Sequence, residues 1–164
     1  ELMYNPLPEG DTDGDDFEFL ELKNLAAVER DLGGVRFTNG ISFTFPNGTR
    51  LAPGQFAVLV SDRDAFTSRY PQVPVAGVYS GNLANGGERL TLVHAAGAVI
   101  ADFSYDDAPP WPASADGGGF SLVPVNPNLT GDPANAAHWR ASSTGGGSPG
   151  ADDPVSNLPR IVVN

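Results

Sequence analysis

The chain alternates short apolar segments with turns rich in glycine and proline, and this alternation limits the folds open to it. Twenty glycines and 15 prolines occur among 164 residues, of which 40% are hydrophobic. Proline interrupts helices and interior strands, while glycine permits the left-handed backbone of tight turns. Apolar segments between such turns are too short for typical helices but fit strands. The sequence therefore predicts an all-β fold and argues against disorder.

Several segments have the alternation of β-strands. Ile41, Phe43 and Phe45 alternate with polar residues, whereas Phe56 to Val60 is a continuous apolar segment typical of a central strand. The predicted strands are 17–23, 41–45, 56–60, 77–79, 88–93, 99–105 and 120–125, with Trp139 in a closing strand. The predicted core is Leu20, Leu22, Phe43, Phe45, Val58, Leu90, Leu92, Val99, Leu122 and Trp139.

One short helix is predicted after the segment 56–60. Ser61 and Asp64 have the spacing of a capping box, with Asp in the place of Glu or Gln, and Pro71 ends the segment. The expected architecture is a β-sandwich with this single helix.

Composition excludes several functional classes. Twenty acidic residues against nine basic ones give a formal net charge of −11, which repels nucleic-acid phosphates and anionic lipid headgroups. The chain has no cysteine, so disulfides, thiolate catalysis and cysteine-ligated metals are excluded. No segment approaches the roughly 18 apolar residues of a membrane span, so no membrane insertion is expected.

A cluster of carboxylates at Asp11, Asp13, Asp15 and Asp16 is the candidate metal site, with Glu18 just beyond it. Hard oxygen ligands on a loop that contains glycine suit Ca²⁺. The spacing is not that of an EF-hand, which has Gly at position six and Glu at position twelve. A solvated acidic turn is the alternative for this loop. A second acidic pair, Asp106 and Asp107, has the same two interpretations.

Catalytic motifs are absent from the sequence. It has two histidines, His94 and His138, and no H-E-x-x-H, G-x-S-x-G or Walker pattern. A Ser-His-Asp set assembled in three dimensions stays open as an alternative, because triads are defined by geometry. We expect no enzymatic activity and no required cofactor. Arg140 is expected to hydrogen-bond backbone carbonyls or an acidic partner such as Asp116.

An ordered series of motifs resembles the lamin tail domain, in the form found in bacterial secreted and surface proteins. The motifs are ELMYNP (1–6), DGDDFEFLELKN (13–24), FTFPNGTRLAPGQFAVL (43–59), LANGGERLTL (83–92), PWPASADGGGFSL (110–122), HWRAS (138–142) and GGSPG (146–150). The resemblance implies an immunoglobulin-like β-sandwich without enzymatic activity, used as an appendage beside other domains. It also implies an extracellular or cell-surface location in bacteria.

The expected organisation is one domain over residues 1–150, followed by a linker at 151–164. That linker ends in RIVVN (160–164), which resembles the first strand of a following copy. We therefore expect a noncatalytic structural or interaction module, a spacer or adhesion domain of a larger secreted or cell-surface protein. Its expected partners are neighbouring domains, including a tandem copy. The alternative is a calcium-braced module that recognises protein or carbohydrate through its end loops.

Overall fold

Backbone pairing in the computed structural model, which describes residues 1–128 and 131–154, produces two large sheets and one α-helix. The helix, α1, spans Arg63–Arg69, and three short 3-10 helices span Gly14–Phe17, Ala113–Ala115 and Ala136–His138. The strands are β1 (Leu2–Met3), β2 (Phe19–Lys23), β3 (Arg30–Asp31), β4 (Arg36–Asn39), β5 (Phe43–Thr44), β6 (Arg50–Leu51), β7 (Phe56–Val60), β8 (Val75–Val78), β9 (Arg89–Val93), β10 (Val99–Ser104), β11 (Leu122–Pro124) and β12 (Trp139–Ala141).

The two large sheets face each other across a common core. The larger sheet has the order β12-β11-β1-β2-β7-β8 and is antiparallel except for the parallel pair β7 and β8. The smaller sheet, β10-β9-β4-β5, is antiparallel throughout. Strands β3 and β6 form a separate pair. The predicted all-β sandwich with one short helix is confirmed.

Strand β2 packs on both of its faces. Leu20 enters the main core together with Leu59 from β7, and Phe37 and Leu90 from the smaller sheet close that core. Phe19 points to the opposite face of the larger sheet, where a second core lies beneath α1. Successive side chains of a strand alternate in direction, so one short strand serves two cores.

Helix α1 covers the outer face of the larger sheet. Phe66 packs edge-on against Phe19, with ring centroids 5.6 Å apart. The helix is capped by Asp62, whose side chain accepts a hydrogen bond from Ala65 N at 2.8 Å. The predicted cap at Ser61 is therefore wrong by one residue, since Ser61 Oγ donates instead to the backbone oxygen of Asp15 at 2.7 Å.

Most of the predicted core is buried. Six members lie in the main core: Leu20, Phe45, Leu90, Leu92, Leu122 and Trp139. Val58 is buried in the second core, and Leu22 and Phe43 are half-buried against the main one. The prediction that Val99 belongs to the core is wrong, since 62% of its surface is exposed.

A β-bulge explains the position of Val99. Val99 pairs with Val93 while Ala101 pairs with Leu92, so Ile100 is an extra residue in β10. One extra residue reverses the alternation on the bulged strand. Val99 therefore shares the outer face with Val93, whereas Ala101 faces the core with Leu92.

The sequence underestimated the number of strands. The strand predicted at 41–45 is reduced to the two residues of β5, and β1, β3, β4 and β6 were not predicted at all. Strands of two residues carry too little alternation to be recognised, and the four-residue strand β4 contains a single apolar residue, Phe37. The strand suggested by residues 160–163 lies outside the described residues.

The sandwich is closed along one side and open along the other. On the closed side Ser42 and Ser80 exchange two backbone hydrogen bonds of 2.8 and 2.9 Å, which link the ends of the two sheets. On the open side β10 and β12 are the edge strands, and no other described strand joins them. Within residues 1–128 and 131–154, no helix is both long and apolar enough to cross a membrane.

Replacing Leu90 by alanine tests the main core. Leu90 is 1% exposed, so Leu90→Ala should lower the free energy of unfolding by about 2–5 kcal/mol. Val99→Ala in the neighbouring strand is the control, and an exposed site should lose no more than about 0.5 kcal/mol. Urea unfolding curves measure both values. Similar losses in the two variants would contradict the placement of the bulge.

Candidate functional site

The four aspartates of the candidate metal site lie around the first 3-10 helix and have different roles. Asp13 caps this helix by accepting a hydrogen bond from Asp15 N, and Asp15 Oδ2 accepts one from Asn82 Nδ2 at 3.0 Å. Asp11 and Asp16 are exposed. Among the described residues, no three side chains of His, Cys, Asp or Glu lie together as metal ligands would. The calcium site stays a prediction of the sequence.

Glu18 is buried at the end of the sandwich next to these aspartates, where its carboxyl group connects separate segments of the chain. It is fully buried, and its Oε2 accepts hydrogen bonds from Tyr79 Oη (3.0 Å) and Leu83 N (2.8 Å). Its Oε1 has no hydrogen-bond partner among the residues that the structure describes. Burial raises the pKa of Glu18 to about 8, against the lowering effect of the two hydrogen bonds. The carboxyl thus fixes the loop around Leu83 to the start of β2.

The position of Glu18 in the sequence indicated that its carboxyl group is buried. Glu18 shares a face with Leu20 and Leu22, so alternation placed a carboxyl group on the apolar face of a strand. A carboxyl in that position must find partners inside the protein. Its partners, Tyr79 and Leu83, are more than 60 residues away in sequence, and no local pattern identifies them.

The second acidic pair and the histidines are also engaged locally. Asp106 Oδ1 accepts a hydrogen bond from Ala108 N, which lowers the pKa of Asp106. His94 Nδ1 accepts one from Ala96 N, within a turn. His138 packs edge-on against Trp139, and burial lowers its pKa. Within the described residues, neither imidazole hydrogen-bonds a hydroxyl or carboxylate, so no triad is assembled.

Arg140 hydrogen-bonds the backbone carbonyls of Ala141 and Asp153, as expected, but its acidic partner is Asp153 and the suggested partner Asp116 is wrong. Asp116 instead accepts a hydrogen bond from Asn5 Nδ2 at 2.7 Å. The Asp153 carboxylate is buried. It accepts a hydrogen bond from Arg140 Nη1 and 3.0 Å hydrogen bonds from Ser143 N. Burial alone would raise the pKa of Asp153, but Arg140 and Ser143 outweigh it and lower that pKa.

Residues 143–153 form a C-terminal strap along the outer face of the larger sheet. Glu1 Oε1 accepts a hydrogen bond from Ser148 N at 2.9 Å, and buried Glu21 accepts one from Gly150 N. Lys23 Nζ lies 2.7 Å from Asp152 Oδ1. Burial raises the pKa of Glu21 to about 7. The strap is thus fixed to β1 and β2 as far as residue 153.

An apolar cleft, here called the lateral groove, lies along the open side of the sandwich between β10 and β12. It has a volume of about 560 Å³, and Leu22, Ile100, Phe103, Val123 and Trp139 are among its lining residues. A second cleft of about 550 Å³ continues past β2 and shares Leu22, Lys23 and Ile100 with the first.

The floor of the lateral groove is an aromatic contact between the two sheets. The rings of Phe103 and Trp139 are stacked at 30° with centroids 6.1 Å apart. Trp139 Nε1 donates to Pro133 O at 2.8 Å, which satisfies the indole within the protein. The groove is therefore a built feature with a rigid floor.

A comparison with known protein families identifies the family to which this fold belongs. The family model of the lamin tail domain matches residues 1–107, about two thirds of the chain. The chain belongs to the lamin tail domain family. Lamin tail domains are immunoglobulin-like modules of a non-enzymatic type, which agrees with the observed sandwich. None of the curated proteins matches the chain in sequence.

The structure extends this lamin tail domain beyond the matched residues. Strands β11 and β12 come after residue 107, yet β11 pairs directly with β1 and completes the larger sheet. The strap that follows β12 then packs onto β2. The open side and the lateral groove are therefore formed partly by residues after the match.

Glu18 and Glu21 should give the stability of this domain an unusual pH dependence. Both have pKa values raised on folding, so the folded state binds protons more tightly than the unfolded state. The free energy of unfolding should therefore fall as pH rises from about 5 to 8, by about 1.4 kcal/mol per pH unit for each group that is protonated only when folded.

Glu18→Gln isolates the first of these groups. The variant cannot titrate at this position, so its free energy of unfolding should fall less steeply between pH 5 and 8. Exposed Glu29 provides the control Glu29→Gln, which should keep the original slope. Urea unfolding at several pH values measures both. Equal slopes in all three proteins would show that Glu18 is not responsible.

Calcium is tested by thermal melts in EDTA and then in millimolar Ca²⁺. A ligand that binds only the folded state raises the melting midpoint. We expect no shift, because the four aspartates do not converge. A rise that disappears in Asp13→Ala would establish the calcium site and favour the calcium-braced ligand-binding alternative.

Proposed function

We propose that the domain is a noncatalytic interaction module of a larger secreted or cell-surface protein. Membership of the lamin tail domain family supports the noncatalytic, modular part of this proposal. The sequence motifs that resemble bacterial surface forms support the extracellular location. The partners on the same polypeptide would be neighbouring domains, including a tandem copy. The net charge of −11 argues against nucleic acid as a partner.

The use of the buried polar groups supports a noncatalytic role. Glu18 and Glu21 each accept a hydrogen bond from a backbone N–H of a distant segment, and Asp153 accepts one from Ser143 N at the other end of the strap. These groups hold loops and the strap in place, and none of them belongs to the aromatic floor of the lateral groove, although Glu21 and Asp153 lie along its rim. A catalytic carboxylate would need to reach a substrate.

The positions of residues 1 and 152 favour interaction over spacing. Glu1 and Glu21 exchange backbone hydrogen bonds, and Asp152 binds Lys23 two residues along the same strand. Two residues of a strand span about 7 Å. Residues 1 and 152 therefore lie close together on one side of β2, and we infer that the parent polypeptide is attached there. A domain attached in this way adds little length and projects as an appendage, which is the observation that carries the proposal.

Binding without turnover is the expected behaviour of the full chain. Immobilised on a sensor, it should bind one or more purified cell-envelope proteins or polysaccharides reversibly and to saturation, and mass spectrometry should show each ligand unchanged. Conversion of a ligand at a rate proportional to protein concentration, lost in His138→Ala, would contradict the proposal. Binding to no ligand would favour a purely structural role.

A further inference from the structure

We propose that the free edge of β10 binds an extended basic peptide of a partner protein as an added strand, with apolar side chains of that peptide in the lateral groove. This inference rests on the proposed interaction function and adds a site and a partner class. Strand addition supplies affinity through main-chain hydrogen bonds and specificity through pockets for alternate side chains. Both requirements are met along β10.

The hydrogen-bonding pattern leaves the outer edge of β10 available. Tyr105 N donates to Glu88 O, so residues 105 and 88 form a hydrogen-bonded pair. In an antiparallel ladder such pairs alternate with pairs that do not exchange hydrogen bonds. By this alternation Phe103 bonds to β9, whereas Asp102 and Ser104 direct their backbone N–H and C=O groups to the free edge. None of the described strands occupies that edge.

The bulge supplies apolar contacts beside this edge. Ile100 is the extra residue of β10, is 52% exposed, and lines both clefts together with Leu22. Bulges commonly redirect a side chain at a sheet edge. Phe103 and Trp139 continue the apolar surface along the groove. Alternate residues of an added strand would therefore meet apolar surface.

Charge complementarity identifies a basic partner. The charged side chains that line the lateral groove are Glu1, Glu21, Asp102, Asp152, Asp153, Lys23 and Arg140. The two basic residues are already paired, Lys23 with Asp152 and Arg140 with Asp153, and Asp102 is paired with Arg89 of the neighbouring strand. Among these lining residues, Glu1 and Glu21 are the carboxylates without such a cationic side chain. Carboxylates thus outnumber cations on this side, within a protein that carries a net charge of −11. Such a rim attracts a peptide with lysine or arginine and repels an acidic one.

The test uses the full chain and synthetic hexapeptides. One peptide alternates lysine with valine or isoleucine, and its twin has glutamate in place of each lysine. Titration followed by amide NMR should shift the resonances of residues 99–104 and 139–141. At low salt the basic peptide should bind at least about tenfold more tightly than the acidic twin. The proposal would be overturned if the basic peptide did not bind, if the two peptides bound equally well, or if the shifted resonances were confined to residues 11–18.

Two substitutions at Ser104 separate the main-chain edge from the side chain. Ser104→Pro removes the outward N–H at a position that does not bond to β9, and should weaken binding about tenfold, as expected for one lost hydrogen bond. Ser104→Ala keeps that N–H and should bind as the original protein does. Ile100→Lys, at a half-exposed site, should also weaken binding of the basic peptide. This variant tests the proposal even if Ser104→Pro does not fold. Unchanged binding in both Ser104→Pro and Ile100→Lys would overturn the proposal.

Other occupants of the groove give different results. Dimers that dissociate in Ser104→Pro would identify a second copy of the chain in place of a basic partner. Tighter peptide binding after deletion of residues 155–164 would identify the chain's own terminal segment as the occupant. Either result overturns the partner assignment. If the peptide fails while the chain still binds an envelope ligand elsewhere, only this inference is lost, whereas ligand turnover would remove the proposed function itself.

Discussion

Strand β2 is the element on which the rest of the domain depends. It has strand neighbours on both edges, β1 and β7, and packed cores on both faces. Glu18 precedes it and fixes a distant loop, while Glu21 and Lys23 within it hold the strap. A change in the register of β2 would exchange its two faces and misplace all of these contacts together.

The electrostatic organisation follows from the shortage of cations. Twenty acidic residues face nine basic ones, so most carboxylates cannot find a cationic partner. The buried ones are satisfied largely by backbone N–H groups: Leu83 N for Glu18, Gly150 N for Glu21 and Ser143 N for Asp153. Backbone donors sit at fixed positions, so Glu18 and Glu21 each connect two segments distant in sequence, while Asp153 joins the two ends of the strap. The buried acidic side chains thereby contribute to the stability of this domain.

The sequence predicted features that depend on local alternation and failed where pairing partners are distant. The strand 56–60 and the helix ending before Pro71 are confirmed, because turn residues and apolar periodicity define them locally. Val99 was misplaced because a bulge at Ile100 depends on how β10 aligns with β9. Arg140 was assigned to Asp116, although Asp153 was the nearer acidic residue along the chain. The acidic residues of the candidate site were visible in the sequence, whereas the lateral groove joins two edges that meet only after folding.

The attachment of residue 1 and of the strap to β2 has a mechanical consequence. Tension between residue 1 and residue 153 would act on contacts that lie side by side, so they would be loaded one after another. The strap is held mainly by side-chain hydrogen bonds and ion pairs, with a backbone hydrogen bond from Gly146 N to Gly119 O, whereas β2 and β7 behind it are joined by a ladder of five residue pairs. A pull along the parent polypeptide would therefore peel the strap first and leave the two cores intact. The domain would lengthen under load by the contour of this segment before its sandwich opened.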